Sequence, residues 1–528
     1  MRKESTIMKR ILLILLALLC LTVLLAACTT PASTTTGTET TPEDTPAVTT
    51  PADTTPKSIP LAEEGKPLFT IVGEKALLEE HKELLDGYTK RIADEGITAP
   101  KVFEDTVSRT GLEIVLGKTT RGLSLKEDME FYQYYVSYQK GKILVQAENA
   151  YGYEQGLTWL YDTYIKGKGE AMAIPDNLDF VGALDFTYSE KHDMTYEAIR
   201  DDVWNSFNEE YWSGMWVKGN AFWDTAEMVE VYVDAYEQSR DPAMKKKMLD
   251  YAKVFYMAYQ KDWTWNDFND DIMWITIAYC RVTLLTGDDF YYNLAKPNFD
   301  AVWERGYNDV LGGGLYWKMN EATMSKNSCV NCPGAIAACL IGQISGDESY
   351  FEKAKSLMEW ELEYMFEEDT GRVYDALSVK GDLNKWASTY NQGTFVGACT
   401  MLYQHYKDEA WLEYAQKAVE FAMANLDDGN SGVISGEANG NDLPGFKGIL
   451  TRWFYRYAIE TENIEVLLFL QHNADAAYAN RNEKGLIWTK WNEKTPDNLS
   501  SYITFGQSTA VALVFNSQPW WDTVKPQE

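Results

Sequence analysis

From Met194 onward, apolar residues recur at helical spacing and are broken at intervals by short polar turns. The turns Ser239-Arg-Asp-Pro-Ala, Thr286-Gly-Asp-Asp-Phe, Ser345-Gly-Asp-Glu-Ser, Tyr406-Lys-Asp-Glu-Ala and Thr461-Glu-Asn-Ile-Glu begin 47 to 61 residues apart. A period of that size holds two helices and their connections. The pattern predicts helices near 195–207, 220–238, 243–260, 271–286, 289–305, 332–345, 348–365, 392–406, 409–425, 445–460, 463–480 and 503–516. These pair into six hairpins. An open superhelix would expose its end repeats and need polar caps. Six hairpins can instead close, with one helix of each pair inside and one outside. The expected fold class is therefore mainly α, with an (α/α)6 barrel as the main domain.

The N-terminal third follows other patterns. Residues 58–186 read as a small α/β domain, with a short apolar strand at Glu113-Ile-Val-Leu-Gly117. Tyr134–Tyr138 and Lys142–Gln146 are β-rich runs around Gln-Lys-Gly, a hairpin signal, and Tyr151–Tyr164 returns to helical spacing. Strand, hairpin and helix in this order resemble the non-catalytic N-terminal domain of bacterial hexosaminidases and glucuronidases. The resemblance implies a packing or spacer role. Further upstream, Arg2, Lys3, Lys9 and Arg10 precede the apolar run Ile11–Ala27, which reads as a secretory signal. Leu25-Ala-Ala-Cys28 resembles the bacterial lipoprotein box and implies that Cys28 carries the lipid; an ordinary signal anchor is the alternative. The following Thr/Pro/Ala tract has too few apolar side chains to fold and reads as a tether. The expected layout is a signal peptide at 1–27, a linker at 28–57, the α/β domain at 58–186 and the barrel at 190–528.

Charge and composition narrow the chemistry. With 79 acidic against 48 basic residues, the net charge of −31 disfavours nucleic acid and anionic lipid surfaces. Membrane contact is expected only through the N-terminal anchor. His81, His192, His405 and His472 are the four histidines, and none lie close together in sequence. That spacing speaks against a histidine zinc site or a Ser-His-Asp triad. No metal and no cofactor is expected, and the chemistry falls to carboxylates. Cys280, Cys339 and Cys399 sit in helical apolar patterns as small hydrophobes. Cys329-Val-Asn-Cys332 is a lone pair that suits a local disulfide or two free thiols.

In a ring of hairpins the loops at one end gather around a funnel. The longer loops here are 262–271, 306–331, 368–393, 427–448 and 485–501. They carry Trp263, Trp265, Trp317, Trp386, Tyr390, Phe446, Trp488 and Trp491 beside Asn and Asp. Aromatic faces next to amides and carboxylates suit a sugar ring, which stacks on one face and hydrogen-bonds through its hydroxyls. Within Asn269-Asp-Asp-Ile-Met-Trp274, two adjacent carboxylates open a strongly apolar helix. One Asp in a first turn needs no function, because it satisfies the helix N-terminus. The second one matters. Two like charges side by side cannot both ionise freely, and glycoside hydrolysis needs one carboxyl that donates a proton and one that attacks.

At these residues the chain resembles glycoside hydrolase family 76, the bacterial endo-α-1,6-mannanases, over nearly all of 194–528. The motifs are Asp270-Asp-Ile-Met-Trp274, Gly312-Gly-Gly-Leu-Tyr-Trp317 with Lys326, Asn327 and Asn331, Gly371-Arg-Val-Tyr-Asp375, Thr389-Tyr-Asn-Gln-Gly393, and Phe446-Lys-Gly-Ile449 with Arg452. Asn269 stands where some relatives carry Tyr. The resemblance implies a retaining mannanase in which Asp270 is the nucleophile and Asp271 the general acid/base. It implies that Asp375 holds the sugar, and that Trp317, Asn327, Tyr390, Asn391, Gln392, Phe446 and Arg452 line subsites. Mannan-type polysaccharide is the expected partner of a monomeric, extracellular lipoprotein on a bacterial membrane. Family members of uncertain activity leave transglycosylation open. Two other readings are an (α/α)6 glycosidase for another glycan and a non-catalytic glycan-binding surface lipoprotein. Sugar epimerases share the architecture but rely on histidines, and His405 and His472 fall at a helix end and within a helix.

Overall fold

A computed structural model describes residues 56–106, 111–184, 194–212, 222–319, 324–427, 429, 431–438, 442–498 and 503–519. The signal run, Cys28 and nearly all of the linker lie outside the described residues.

The α/β region is a six-stranded mixed sheet. Its strands are β1 (Phe69–Gly73), β2 (Val102–Glu104), β3 (Leu112–Leu116), β4 (Gln133–Gln139), β5 (Lys142–Ala147) and β6 (Asp179–Ala183), in the order β6-β4-β5-β3-β1-β2. The expected hairpin is β4–β5, with Tyr134 opposite Ala147 and Gln139 opposite Lys142. Lys140 and Gly141 close it, both with positive φ (48° and 77°), the twist that a two-residue hairpin loop requires. β3 runs parallel to β1 and β5 and is buried along nearly its whole length, which suits the apolar Ile114, Val115 and Leu116, while the buried Glu113 is paired with Arg121 and Lys142. Helices α1 (Lys75–Glu80), α2 (Lys82–Asp94) and α3 (Ala150–Tyr164) complete the region. Of these, α3 was legible from its apolar spacing, and Asn149 caps it by accepting from the Gly152 N–H at 2.8 Å.

Among the described residues twelve helices follow: α4 (Tyr196–Tyr211), α5 (Phe222–Ser239), α6 (Pro242–Tyr259), α7 (Asn269–Thr286), α8 (Asp289–Gly306), α9 (Ser328–Ser345), α10 (Glu348–Tyr364), α11 (Thr389–Tyr406), α12 (Ala410–Asn425), α13 (Phe446–Thr461), α14 (Ile464–Ala479) and α15 (Ile503–Phe515). The odd-numbered helices from α5 to α15 each pack against the next odd one, and α15 packs back on α5. The ring is closed. The even-numbered helices cover it from outside, α4 against α15 and each of the others against the inner helix before it. This is the (α/α)6 barrel, and it settles the choice against an open superhelix.

Burial follows the layer. The inner helix α9 is buried continuously from Ser328 to Gly342, whereas the outer α10 buries one face through Tyr350, Phe351, Ala354, Leu357, Met358, Trp360 and Glu361. An all-round apolar helix belongs inside a core and a striped one on its surface. Inner helices also approach closely: a Cβ on Gly393 or Gly397 of α11 would collide at 2.5 Å with Leu450 or Trp453 of α13.

Every repeated polar turn joins an inner helix to the next outer one, so all five lie at one end. Asp241, Asp288 and Asp347 each accept from a backbone N–H two residues on, at 2.6–3.0 Å, and Asn463 from the Val466 N–H at 3.1 Å. The long outer-to-inner connections lie at the other end. Two helices begin earlier than their apolar spacing indicated, α9 at Ser328 and α11 at Thr389. Their first turns put Cys329 and Tyr390 on the cleft, while Ser328, Asn331, Asn391 and Gln392 are buried and bonded to other protein groups. Cys329 and Cys332 lie inside α9 as buried free thiols, which decides between the two states considered for that pair.

Candidate active site

A cleft of about 370 Å³ opens at the long-loop end. The first turn of α7 supplies Asp270 and Asp271, whose backbone position puts both carboxyls at the mouth of the ring. The loop before α9 supplies Trp317, and the strand β7 (Ser325–Asn327) supplies Asn327. β7 pairs with β8 (Ala376–Ser378), which pairs with β9 (Leu383–Asn384), and this small sheet fixes Asp375 beside Asn327. Asp375 is locked at both ends: its N–H donates to the Asn384 carbonyl at 3.0 Å and its carbonyl accepts from the Ser328 N–H at 3.1 Å. The first turns of α11 and α13 add Tyr390 and Phe446, stacked with ring centroids 3.7 Å apart.

The two adjacent carboxyls have different partners. Asp270 Oδ2 accepts from the Trp317 indole N–H at 2.9 Å and from the Cys329 thiol at 3.5 Å. Its Oδ1 is buried and accepts nothing among the described residues. Asp271 Oδ2 accepts from the Asn266 side-chain N–H at 2.8 Å. Burial raises both acids. Asp270 is pushed well above the usual carboxylate range by burial and by the charge of Asp271. Asp271 is raised to about 6 by burial, with Asp442 adding to the rise and Asn266 opposing it. Such neighbours titrate as a pair, and ionisation of one opposes ionisation of the other. Asp375 accepts from the side chains of Asn384 at 2.8 Å and Asn391 at 3.4 Å, and burial moves it up as well. Among the described residues, no three His, Cys, Asp or Glu side chains gather as metal ligands.

The cleft therefore holds a protonatable carboxyl beside a carboxyl with an unoccupied oxygen, walled by aromatic rings. The model of the family described as glycosyl hydrolase family 76 matches residues 187–523. The chain belongs to this family. Among solved structures, the family 76 α-1,6-mannanase of a Salegentibacter species is 27% identical, with a TM-score of 0.57, over 61% of this chain and 99% of that one. An inactive variant of the same enzyme, with two adjacent aspartates changed to asparagine, is known in complex with α-1,6-mannotriose. It is 28% identical, with a TM-score of 0.56, over 61% of this chain and 99% of that one. A mannan endo-1,6-α-mannosidase of Candida albicans is 24% identical over 226 residues, 38% of this chain. The chain spans 50% and 61% of the length of two such Candida relatives.

Within this family 76 site, seven of the residues singled out from sequence come together at the cleft: Asp270, Asp271, Trp317, Asn327, Asp375, Tyr390 and Phe446. Three do not line it. Asn391 lies behind Asp375 and orients it. The Gln392 side chain accepts from the Val373 N–H and donates to the carbonyls of Gly371 and Ala418 at 3.1 Å, tying the loop to α12. Arg452 is a correction to the subsite expectation. It lies six residues after Phe446, about 9 Å down the helix axis, and bonds Glu227 and Asp234 of α5 inside the ring. Its charge serves a buried ion network. Trp223, Phe268, Trp274, Cys329 and Asp442 line the cleft without having been singled out as site residues. Trp223 and Trp274 sit in apolar helical patterns that look like core, whereas Phe268, Cys329 and Asp442 fall in the long loops at 262–271, 306–331 and 427–448 and carried a loop signal.

Proposed function

We propose that the protein is a retaining endo-glycosidase that cleaves α-1,6-mannosidic linkages in mannan-type polysaccharide. The observation that carries this is the pair Asp270–Asp271, two buried carboxyls of raised proton affinity on the first turn of α7, opening into an aromatic cleft. Family membership and the Salegentibacter mannanase support the substrate. That its inactive variant lacks two adjacent aspartates supports the roles given to this pair.

The proposed reaction runs in two steps. Asp270 Oδ1, the oxygen with no partner, attacks the anomeric carbon while the Trp317 N–H holds the other oxygen. Asp271 gives its proton to the departing glycosidic oxygen, so the C–O bond breaks with the leaving sugar neutral and a glycosyl ester forms on Asp270. Asp271, now ionised, takes a proton from water, which displaces Asp270 and leaves the product with the starting configuration. The working tautomer has the proton on Asp271. Burial and the charge of Asp271, which push Asp270 up, oppose this tautomer, and the two donors on Asp270 Oδ2 offset part of that by stabilising its ionised form. Asp375, held by Asn384 and Asn391, accepts from sugar hydroxyls, and the Tyr390–Phe446 pair offers a ring face for stacking.

We further propose that the enzyme works outside the cell, tethered through lipid on Cys28 and the Thr/Pro-rich linker. The α/β region is proposed to be non-catalytic, and the residues lining the cleft all come from the barrel. Product chromatography tests the activity. Unbranched α-1,6-mannan should yield a ladder of manno-oligosaccharides, with branched yeast mannan cut more slowly. Release of mannose alone would indicate exo-action, and no cleavage of either would overturn the proposal.

A further inference from the structure

Both carboxyls of the pair are held by donors that connect to a single guanidinium, one directly and one through Asn269. Arg305, the penultimate residue of the outer helix α8, reaches over the loop before α7 and spends three donors on uncharged oxygens. Its Nη1 donates to the Thr264 carbonyl at 2.8 Å, its Nη2 to the Asn266 carbonyl at 2.7 Å and its Nε to the Asn269 side-chain oxygen at 2.8 Å. Two arms run from it. In one, the Asn266 side-chain oxygen accepts from the Phe268 N–H at 2.9 Å, so the amide must turn its N–H outward, and it donates to Asp271 Oδ2 at 2.8 Å. In the other, the Asn269 side chain donates to the Tyr316 carbonyl at 2.7 Å and its backbone N–H to the Trp317 carbonyl at 2.8 Å. Trp317 then donates to Asp270 Oδ2 at 2.9 Å.

We infer that Arg305 is a positioning residue that sets the orientation of both catalytic carboxyls at once, through Asn266 to Asp271 and through Asn269 and Trp317 to Asp270. A planar fork is suited to this, because its donors leave in fixed directions from one rigid group, which a flexible ammonium cannot reproduce. Gly306, next in the chain, makes the approach possible: a Cβ there would stand 3.0 Å from the Asn269 amide nitrogen. A catalytic group must be held close to its productive geometry, and displacement of about 1 Å costs on the order of 100-fold in rate. Arg305 touches no substrate. Its effect is carried by the amides and the indole.

The inference rests on the roles proposed above for Asp270 and Asp271, and the experiment separates the two. Full-length Arg305→Met, Arg305→Lys and Asn266→Leu are compared with wild type on unbranched α-1,6-mannan, with Asp270→Asn and Asp271→Asn as controls. For both Arg305 variants, kcat per folded molecule should fall about 100-fold while KM stays within about twofold, the pattern of a loss felt only in the transition state. Arg305→Lys keeps the charge but not the fork, so it should fare no better, and it replaces Arg305→Met if the latter is not recovered folded. The groups facing Asp271 are Asp270, Asp442 and the Tyr259 phenol. With these unchanged, loss of the Asn266 N–H should move the limb of the kcat/KM profile near pH 6 upward in both Asn266→Leu and the Arg305 variants. A dinitrophenyl α-mannobioside, whose leaving group needs no proton, should restore Asn266→Leu glycosylation but leave Arg305→Met slow, because the Asp270 arm is also loosened. Wild-type kcat with an unmoved limb in folded Arg305 variants would overturn the inference, since a purely structural role would lower only stability. Activity in the Asp270→Asn and Asp271→Asn controls would overturn the underlying roles instead.

Discussion

Asp270 and Asp271 occupy consecutive positions on one turn, yet one has an indole and a thiol on a single oxygen and the other a single amide. Different partners on like groups are how two carboxyls come to serve as nucleophile and acid. Asp270→Asn and Asp271→Asn should each lower kcat by at least about 1,000-fold, within the range that covalent and acid–base contributions span. Melting temperature at pH 7 should hold or rise, because a buried acid of raised proton affinity is replaced by a neutral side chain. The pH profile follows from the shared proton. The working form carries one proton on the pair, so it is populated above the lower pair value and below the upper one. Asp271 is raised to about 6 and Asp270 lies well above the usual range. The kcat/KM profile should therefore rise through about pH 6 and fall at higher pH; a profile that only declines from pH 4 upward would exclude the shared proton. At this scale the sequence was most informative where two unusual residues stood together. Gln392 and Arg452 were misplaced because a polar residue on an inner helix looks the same in sequence whether it faces the cleft or an ion network. Arg452 was decided by Glu227, Glu230 and Asp234, more than two hundred residues away.

The helices were legible because the two layers write different patterns. The outer ones carry a stripe, the inner ones are buried nearly all round, and the five polar turns punctuate them. The short strands β7, β8 and β9 were not legible: two or three residues hold no periodicity, and they are defined by pairing between loops. They nevertheless position Asn327 and Asp375. The early starts of α9 and α11 share a cause, since their first turns carry buried polar side chains that pair with the neighbouring loops and with Asp375, and such positions break the apolar spacing. The turns at the far end should be separable from function. Asp347 accepts from the Ser349 N–H at 3.0 Å and caps α10, away from the cleft. Asp347→Ala should cost about 1 kcal/mol of stability in chemical denaturation and leave kcat and KM unchanged; a loss of activity in the folded variant would show that the two ends are coupled.

The whole barrel encloses charge as well as apolar surface. Arg281 and Arg452 meet Glu227, Glu230 and Asp234 on the ring interior, and Glu361 is buried with Ser328 donating to it at 2.9 Å. Burial raises Glu361 from 4.5 to about 8. A carboxyl raised on folding favours the folded state fully below its unfolded value, and that stability is lost as pH climbs through the folded value. Stability should therefore decline between about pH 4.5 and 8. Glu361→Gln should flatten the decline and raise the melting temperature at pH 8, by an energy on the order of a few kcal/mol. An unchanged slope would mean that Glu361 is not the group responsible. Closure of the ring could be argued from six hairpins alone, but the ion network could not, because its members come from α5, α7 and α13. The central claim is that adjacent carboxyls on α7 cleave α-1,6-mannan with retention. Proton NMR of the anomeric region, recorded during the first minutes on unbranched α-1,6-mannan, tests it most directly. New reducing ends should appear first as the α-anomer and only later equilibrate with β. Ends that appear first as β would mean inversion, with water activated by a more distant carboxyl such as Asp375, and would contradict Asp270 as the nucleophile.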